Sequence, residues 1–248
     1  MMITLIILVI LIFLCVYGLY PLIIVGIMLI IYWLPKFIVI NALECLYPKI
    51  ITRNPKSKYT SLTFDDMPNG NHKAIIEILD SYGMKGTFFI ISGQITTHDM
   101  DIFIDAVKNG HQLANHGHTD SAHFLKIPYQ FLKEITKCDN KIKEIYTIAG
   151  VDLPKKMFYR PGCGVFNRKI MDIIPLFQYK LALGSVYPND PLIRNSNINY
   201  WYLKWHIDHG DAVVLHDRPW TPPMLKKLCK WMQQHGLKSV TMDELFNY

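Results

Sequence analysis

Beyond residue 58 the sequence alternates short runs of β-branched and aromatic residues with longer amphipathic ones, and the short runs end in polar clusters. Residues 59–64 lead into Asp65-Asp66, 111–114 into Asn115-His116, and 157–159 into Arg160-Pro161-Gly162. Residues 180–183 lead into Gly184-Ser185, and 212–215 into His216-Asp217. Strands alternating with helices imply parallel pairing through right-handed crossovers. In a barrel of parallel strands the interiors fill the core, and the loops at the C-terminal ends gather reactive groups on one rim. Carboxylates and imidazoles collected there point to a metal-assisted hydrolase.

Adding 86–91 and 237–241 brings the strands to seven. The helices between them are read from apolar spacing and end signals. His72–Ser81 carries Ile75, Ile76 and Leu79 on one face and closes at Gly83. Residues 99–108 stop at Gly110, and 128–146 form a longer amphipathic helix. Asn167 caps a helix through 174, since its side chain can accept from free N–H groups of the first turn. Residues 197–207 and the proline-opened 222–234 complete the set, Gly236 ending the last. Seven strands favour a barrel, with an open doubly wound sheet as the alternative.

Composition is not uniform. Residues 1–34 contain no charged residue and are mostly Ile, Leu and Val. About 20 apolar residues span a bilayer, so this run predicts an N-terminal transmembrane helical segment over 1–35. A cleaved signal peptide would want leading basic residues and a small-residue cleavage site, and neither is present. Residues 36–58, with Pro48, Pro55 and several lysines, are expected as a juxtamembrane linker, and 59–248 as the catalytic domain. The expected localisation is a single-pass membrane protein. Lys36, Lys49, Arg53, Lys56 and Lys58 follow the apolar run and would place the domain on the cytosolic side. A hairpin of two short spans would instead put both ends on one side. The net charge of +6 includes that basic segment and fits a membrane partner with anionic headgroups. No basic stripe interleaved with aromatics argues for nucleic acid. Five scattered cysteines without a CxxC suggest neither a zinc knuckle nor a disulfide scaffold.

Asp65 and Asp66 cannot both stay ionised cheaply unless a cation lies between them, and one metal ligand beside one base would resolve this. A solvated turn would account for the same residues. His111, His116, His118 and His123 crowd one stretch, and His116 lies four residues before Asp120, a spacing that lets two side chains reach one ion. Nitrogen and oxygen ligands suit zinc, and a surface histidine cluster is the plainer alternative. Arg160 at a strand end could hold a carboxylate ionised, and the turn Gly162-Cys163 could offer backbone N–H groups to an oxyanion. His216, as a general acid, would need a carboxylate neighbour.

In this order TFDD (63–66), Asn115-His116, Arg160-Pro161-Gly162 and Leu215-His216-Asp217 resemble polysaccharide deacetylases of the NodB-homology type, carbohydrate esterase family 4. KGTFFI (85–90) and the ending LKSVTMDEL (237–245) extend the resemblance over residues 59–248. It implies a distorted (β/α)7 barrel that removes N-acetyl groups from N-acetylglucosamine-containing glycans such as chitin or peptidoglycan. It also implies a divalent metal, zinc in the usual case. By position Asp65 resembles the general base, and Asp66 the first metal ligand with His116 and Asp120 beside it. Arg160 resembles the residue that orients the base, His216 the acid, and Gly162 and Cys163 the oxyanion turn. Three features depart from the family. Met67 stands where glycine is usual, and Asp120 stands where the family has a second histidine. The aromatic after Arg-Pro is missing. His118 or His123 could take the place of Asp120 as ligand, and Asp190 is the candidate carboxylate for His216. The altered metal motif leaves open a catalytically lapsed glycan-binding barrel, and a non-polymeric acyl substrate is a further alternative.

Overall fold

In the computed structural model the described residues are 36–247, with isolated positions at 18, 22, 24 and 26. The chain divides into two compact units, Met1–Leu43 and Glu44–Tyr248. Helix α1 (Lys36–Leu46) belongs to the described part of the first and to the start of the second. The second unit holds all six strands. β1 (Ser61–Met67) and β2 (Gly86–Ile90) are followed by β3 (Gln112–Asn115), β4 (Met157–Tyr159), β5 (Tyr179–Leu181) and β6 (Ala212–His216). They form one sheet in the order β5-β4-β3-β2-β1-β6, and every named pairing is parallel.

Parallel strands need crossover connections, and helices supply them. These are α2 (His72–Ser81), α3 (Thr97–Lys108), α4 (Pro128–Ala149), α5 (Arg168–Ile173) and α6 (Ser196–His206), and α7 (Thr221–Gln234) follows β6. The short α8 (Met242–Leu245) follows the last of them. α2 buries Ile75, Ile76 and Leu79, the face its sequence spacing predicts. Asn167 caps α5 by accepting from the Ile170 amide. Thr96 and Asp99 form a reciprocal capping box at the start of α3, which satisfies two amides that would otherwise have no helical partner.

The sheet is curled. Laid flat, six strands would separate β5 from β6 by about 24 Å, at roughly 4.8 Å per step. Yet Phe89, Ala114, Phe158, Ala182 and Ala212 share one buried cluster with Val240, Met242 and Leu245. Three alanines among the strand-derived residues are what a tightly curved interior accommodates. The two ends meet where Val186 bridges Val213 in parallel. Gly184 permits this closure. A Cβ there would lie 2.5 Å from Val214 Cγ2 and 2.8 Å from the Ala212 carbonyl, at a φ of +81°. A second buried cluster lies around β4, β5 and α4, built from Phe131, Ile135, Tyr159, Ile170, Ile174 and Tyr179.

Two expectations are corrected. The seventh strand, 237–241, is reduced to a single bridge from Thr60 to Ser239. Both edges of β1 are already paired, with β2 and with β6. Ser239 fills the remaining gap, accepting from the Leu62 amide at 3.0 Å and donating to the Lys85 carbonyl at 2.7 Å. The chain then turns into α8 through a capping box of Thr241 and Glu244. The second correction concerns the transmembrane segment. Among the described residues no helix is long and apolar enough to cross a membrane. The anchor, the membrane partner and the single-pass membrane localisation are withdrawn on that finding. Residues 1–35, on which the anchor was placed, fall outside the described residues apart from the isolated positions given above. Within the expected linker, Ile51 bridges Ala182 and Arg53 bridges Asp211.

Candidate active site

Asp65, Asp66, His116, Asp120, Arg160, Cys163 and His216 line one cleft of about 600 Å³, together with Leu183, Tyr187, Leu192 and Arg218. Four of the strands, β1, β3, β4 and β6, end at its floor. The two aspartates face one space because β1 is irregular there. Its register to β2 shifts between Phe64 and Met67, and Asp66 takes a left-handed φ of 60°. An ordinary strand would have sent consecutive side chains to opposite faces. A non-glycine residue in that region carries strain of about 1–2 kcal/mol, held here at the centre of the cleft.

Arg160 is 2 % exposed. Its Nη1 donates to Asp65 Oδ1 at 2.5 Å and to Thr63 Oγ1 at 2.9 Å, and its Nε to the Ala182 carbonyl at 3.2 Å. The guanidinium lies over the Phe89 ring at 3.9 Å, so the ring face supports the charge that burial opposes. Burial pulls the Arg160 pKa down and Asp65 opposes it.

His116 is buried between two partners. Its Nδ1 lies 2.8 Å from the Arg160 carbonyl, an acceptor, so Nδ1 carries the proton and donates. Nε2 then faces Asp66 Oδ1 at 3.3 Å. A bare nitrogen against a carboxylate is unfavourable, and a proton there relieves it. Burial disfavours the charged ring, but the Asp65 charge and the Asp66 contact outweigh burial and raise the His116 pKa. Asp66 shows the converse. Burial works against its ionisation, while the His116 hydrogen bond and the charges of His116, His216 and Arg218 hold its carboxyl well below the usual range.

At the end of β6, His216 Nδ1 meets Asp190 Oδ1 at 2.9 Å, and the His216 amide donates to Asp190 Oδ2 at 2.8 Å. Burial lowers the His216 pKa, but Asp190 and the two cleft aspartates raise it on balance. The Asp190 carbonyl in turn accepts from Trp220 Nε1. The Tyr187 ring sits 5.8 Å from the His216 ring.

Not every expected residue joins the site. The Gly162 amide donates to His123 Nδ1 at 3.2 Å, so of the turn pair only Cys163, itself at φ 60°, lines the cleft. His123 is fully buried, also bonded to the Tyr159 hydroxyl at 2.9 Å, and burial pushes its pKa down to about 4. His118 contacts Ser92 Oγ at 3.0 Å. Neither histidine reaches Asp66. Asp217, next to His216, is a structural carboxylate: fully buried, it accepts from the Asn69 and Asn71 amides at 2.6 and 2.9 Å.

Asp66 and His116 meet, but Asp120 is exposed and makes no ion pair with His116. Among the described residues there is no group of three or more His, Cys, Asp or Glu that could hold an ion. The cation beside Asp66 is Arg218, whose Nη2 donates to Oδ2 at 2.6 Å. Asp66, His116 and Asp120 line the same cleft, but among the described residues only the first two meet, and this donor set does not fit a resident three-ligand metal. Arg218 and Tyr187 are the cleft residues that sequence reasoning missed. The signal for Arg218 was a basic residue directly following a strand-end His-Asp pair.

Comparison with known proteins places this cleft in context. Residues 52–182 match the polysaccharide deacetylase family. The chain is 27% identical over 199 residues to a bifunctional xylanase/deacetylase of Pseudobutyrivibrio xylanivorans, covering 79% of this chain and 31% of that protein. It is 23% identical over 198 residues to a peptidoglycan-N-acetylglucosamine deacetylase of Bacillus cereus, covering 77% and 89%. The fold is shared with BA3943, a CE4 family pseudoenzyme from Bacillus anthracis, at a TM-score of 0.69 and 22% identity over 82% of this chain and 70% of that one. A mutant of that protein is described as having restored enzymatic activity. Matched over more than half its length and sharing the fold, the chain belongs to the NodB-homology polysaccharide deacetylases, carbohydrate esterase family 4.

Proposed function

We propose that this protein is a glycan-binding member of the deacetylase family in which metal-dependent hydrolysis has lapsed, with residues 59–248 as its binding domain. The observation that carries this reading is the ligand set at Asp66. One imidazole meets one Asp66 oxygen and Arg218 holds the other, and among the described residues no third donor completes a group. The cleft itself is kept. Its volume is in the range of small-ligand pockets, and Tyr187, Leu183 and Leu192 offer apolar surface beside buried polar groups, the mix that suits a sugar ring with an acetamide. The B. cereus relative's name supports N-acetylglucosamine units as the ligand class, and BA3943 is a precedent for a family member without activity.

The test is a calorimetric titration of the full chain with N-acetylglucosamine oligomers, with and without added zinc. Binding indifferent to zinc is expected, weakened on the order of tenfold in Tyr187→Ala, the size of one lost aromatic contact. Binding that requires zinc, or no binding at all, would count against the proposal.

A second reading has its own support in two retained pairs, Asp65 with Arg160 and His216 with Asp190. In a hydrolase that removes N-acetyl groups from such glycans, Asp65 would accept a proton from the attacking water. His216, oriented through Nδ1 by Asp190, would protonate the leaving nitrogen through Nε2. The Cys163 amide would face the oxyanion. Acetate release separates the two readings.

A further inference from the structure

Asp66 is placed between two nitrogen partners on its two oxygens, the His116 imidazole on Oδ1 and the Arg218 guanidinium on Oδ2. The His116 Nε2 to Asp66 Oδ1 separation of 3.3 Å is close to that of two ligands on one tetrahedral ion, about 3.3 Å for bonds of about 2.0–2.1 Å. The pair therefore keeps the spacing of a metal site while a side chain supplies the positive charge.

Arg218 is not a loose surface residue that happens to fall there. Its Nη1 donates to the Asp217 carbonyl at 3.0 Å, fixing the guanidinium against its own backbone. Asp217 is fully buried and anchors the turn that follows Asp66 through the Asn69 and Asn71 amides. The Asp217 amide donates to the Asp65 carbonyl at 3.1 Å, and Thr221 Oγ1 donates to the His216 carbonyl at 2.7 Å. The backbone before Arg218 is thus tied to the segment that carries Asp66, the turn after it is closed on His216 by Thr221, and the guanidinium arrives pre-oriented.

We infer that Arg218 is a tethered cation standing in place of a metal ion at Asp66, and that it closes a remnant divalent-cation site formed by Asp66 and His116. A guanidinium is always charged and cannot leave as an ion can. It neutralises Asp66 from Oδ2 without a metal, and its fixed charge opposes a divalent ion entering between Oδ1 and His116 Nε2. The inference shares with the proposed function only the incomplete ligand set.

The test uses cobalt(II) and zinc alone, titrated into the full chain by calorimetry and, for cobalt, followed by visible absorption of the bound ion. Arg218→Met is expected to bind cobalt roughly tenfold or more tightly than the wild-type chain, because the ion no longer meets a like charge paired with its ligand. Adding Asp66→Asn to Arg218→Met should abolish the gain. Arg218→Gln keeps a neutral donor for the Asp217 carbonyl and should give the same direction if the methionine variant folds poorly. Equal affinity in wild type and both Arg218 variants, whether all bind or none does, overturns the inference. That result would leave glycan binding as measured. Conversely, acetate release by the wild-type chain would overturn the lapsed reading without bearing on whether Arg218 and metal compete.

Discussion

Arg160 concentrates more of the site's electrostatics than any other single residue. Its charge is buried and compensated by one short ion pair, one hydroxyl, one carbonyl and a ring face. Removing one partner of a buried pair leaves the other uncompensated, at a cost of about 3–5 kcal/mol. Arg160→Ala should therefore lower the unfolding free energy by that amount in urea titrations, well beyond an exposed control such as Arg168→Ala. His111 makes a separate prediction about pH. Burial pushes its pKa down to about 4, with Asp80 opposing. Its Nδ1 accepts from the Gly86 amide at 3.1 Å, a bond that needs the neutral ring. Between that value and the ordinary 6.5 the unfolded chain binds more protons, so stability rises with pH across this window and is lost as pH falls from 6.5 towards 4. The full effect is about 3 kcal/mol at 1.36 kcal/mol per unit. Urea midpoints should fall steadily across that window, and His111→Asn should flatten the slope. A slope unchanged in that variant would assign the acid sensitivity elsewhere.

At the scale of elements, the legible parts were those with local causes. α2 follows from its apolar spacing and β4 from its aromatic run, and both have the bounds expected. The strand-end clusters Asp65-Asp66, Asn115-His116, Arg160 and His216 do converge, because parallel strands deliver their C-terminal ends to one rim. What was not legible depended on partners distant in sequence. A seventh strand was read at 237–241 from composition, but whether a segment pairs depends on a free edge, and β1 has none. His118 and His123 were the alternatives to Asp120 as ligand, yet packing assigns His123 to Tyr159 and Gly162 and His118 to Ser92. Arg218 was passed over because its place after the strand-end His216-Asp217 pair marks a basic residue near the rim, while its carboxylate partner Asp66 is distant in sequence. Two substitutions test the element-level account. Gly184→Ala places a Cβ against the Ala212 carbonyl where the sheet closes, and with its positive φ should cost more than about 1–2 kcal/mol. Ser239→Ala removes the acceptor for the Leu62 amide and should cost about 1–3 kcal/mol as a buried donor loses its partner. Unfolding free energies close to wild type would show that these junctions do not hold the curl.

For the whole molecule, the curled sheet, the Asp65–Arg160 pair and the His216–Asp190 pair belong to a deacetylase framework, while the Asp66 neighbourhood departs from it. A frame could retain its cleft with a side chain in place of an ion, because the Arg218 guanidinium would balance the carboxylate that a metal would otherwise neutralise. On the proposed reading, binding without hydrolysis would follow from one local exchange that leaves the fold unchanged. The most direct test is acetate released from N-acetylglucosamine oligomers by the purified full chain under saturating zinc or cobalt. The lapsed-site account predicts release no faster than in the absence of protein, with the oligomers still bound. Metal-dependent turnover that disappears in Asp65→Asn would contradict it.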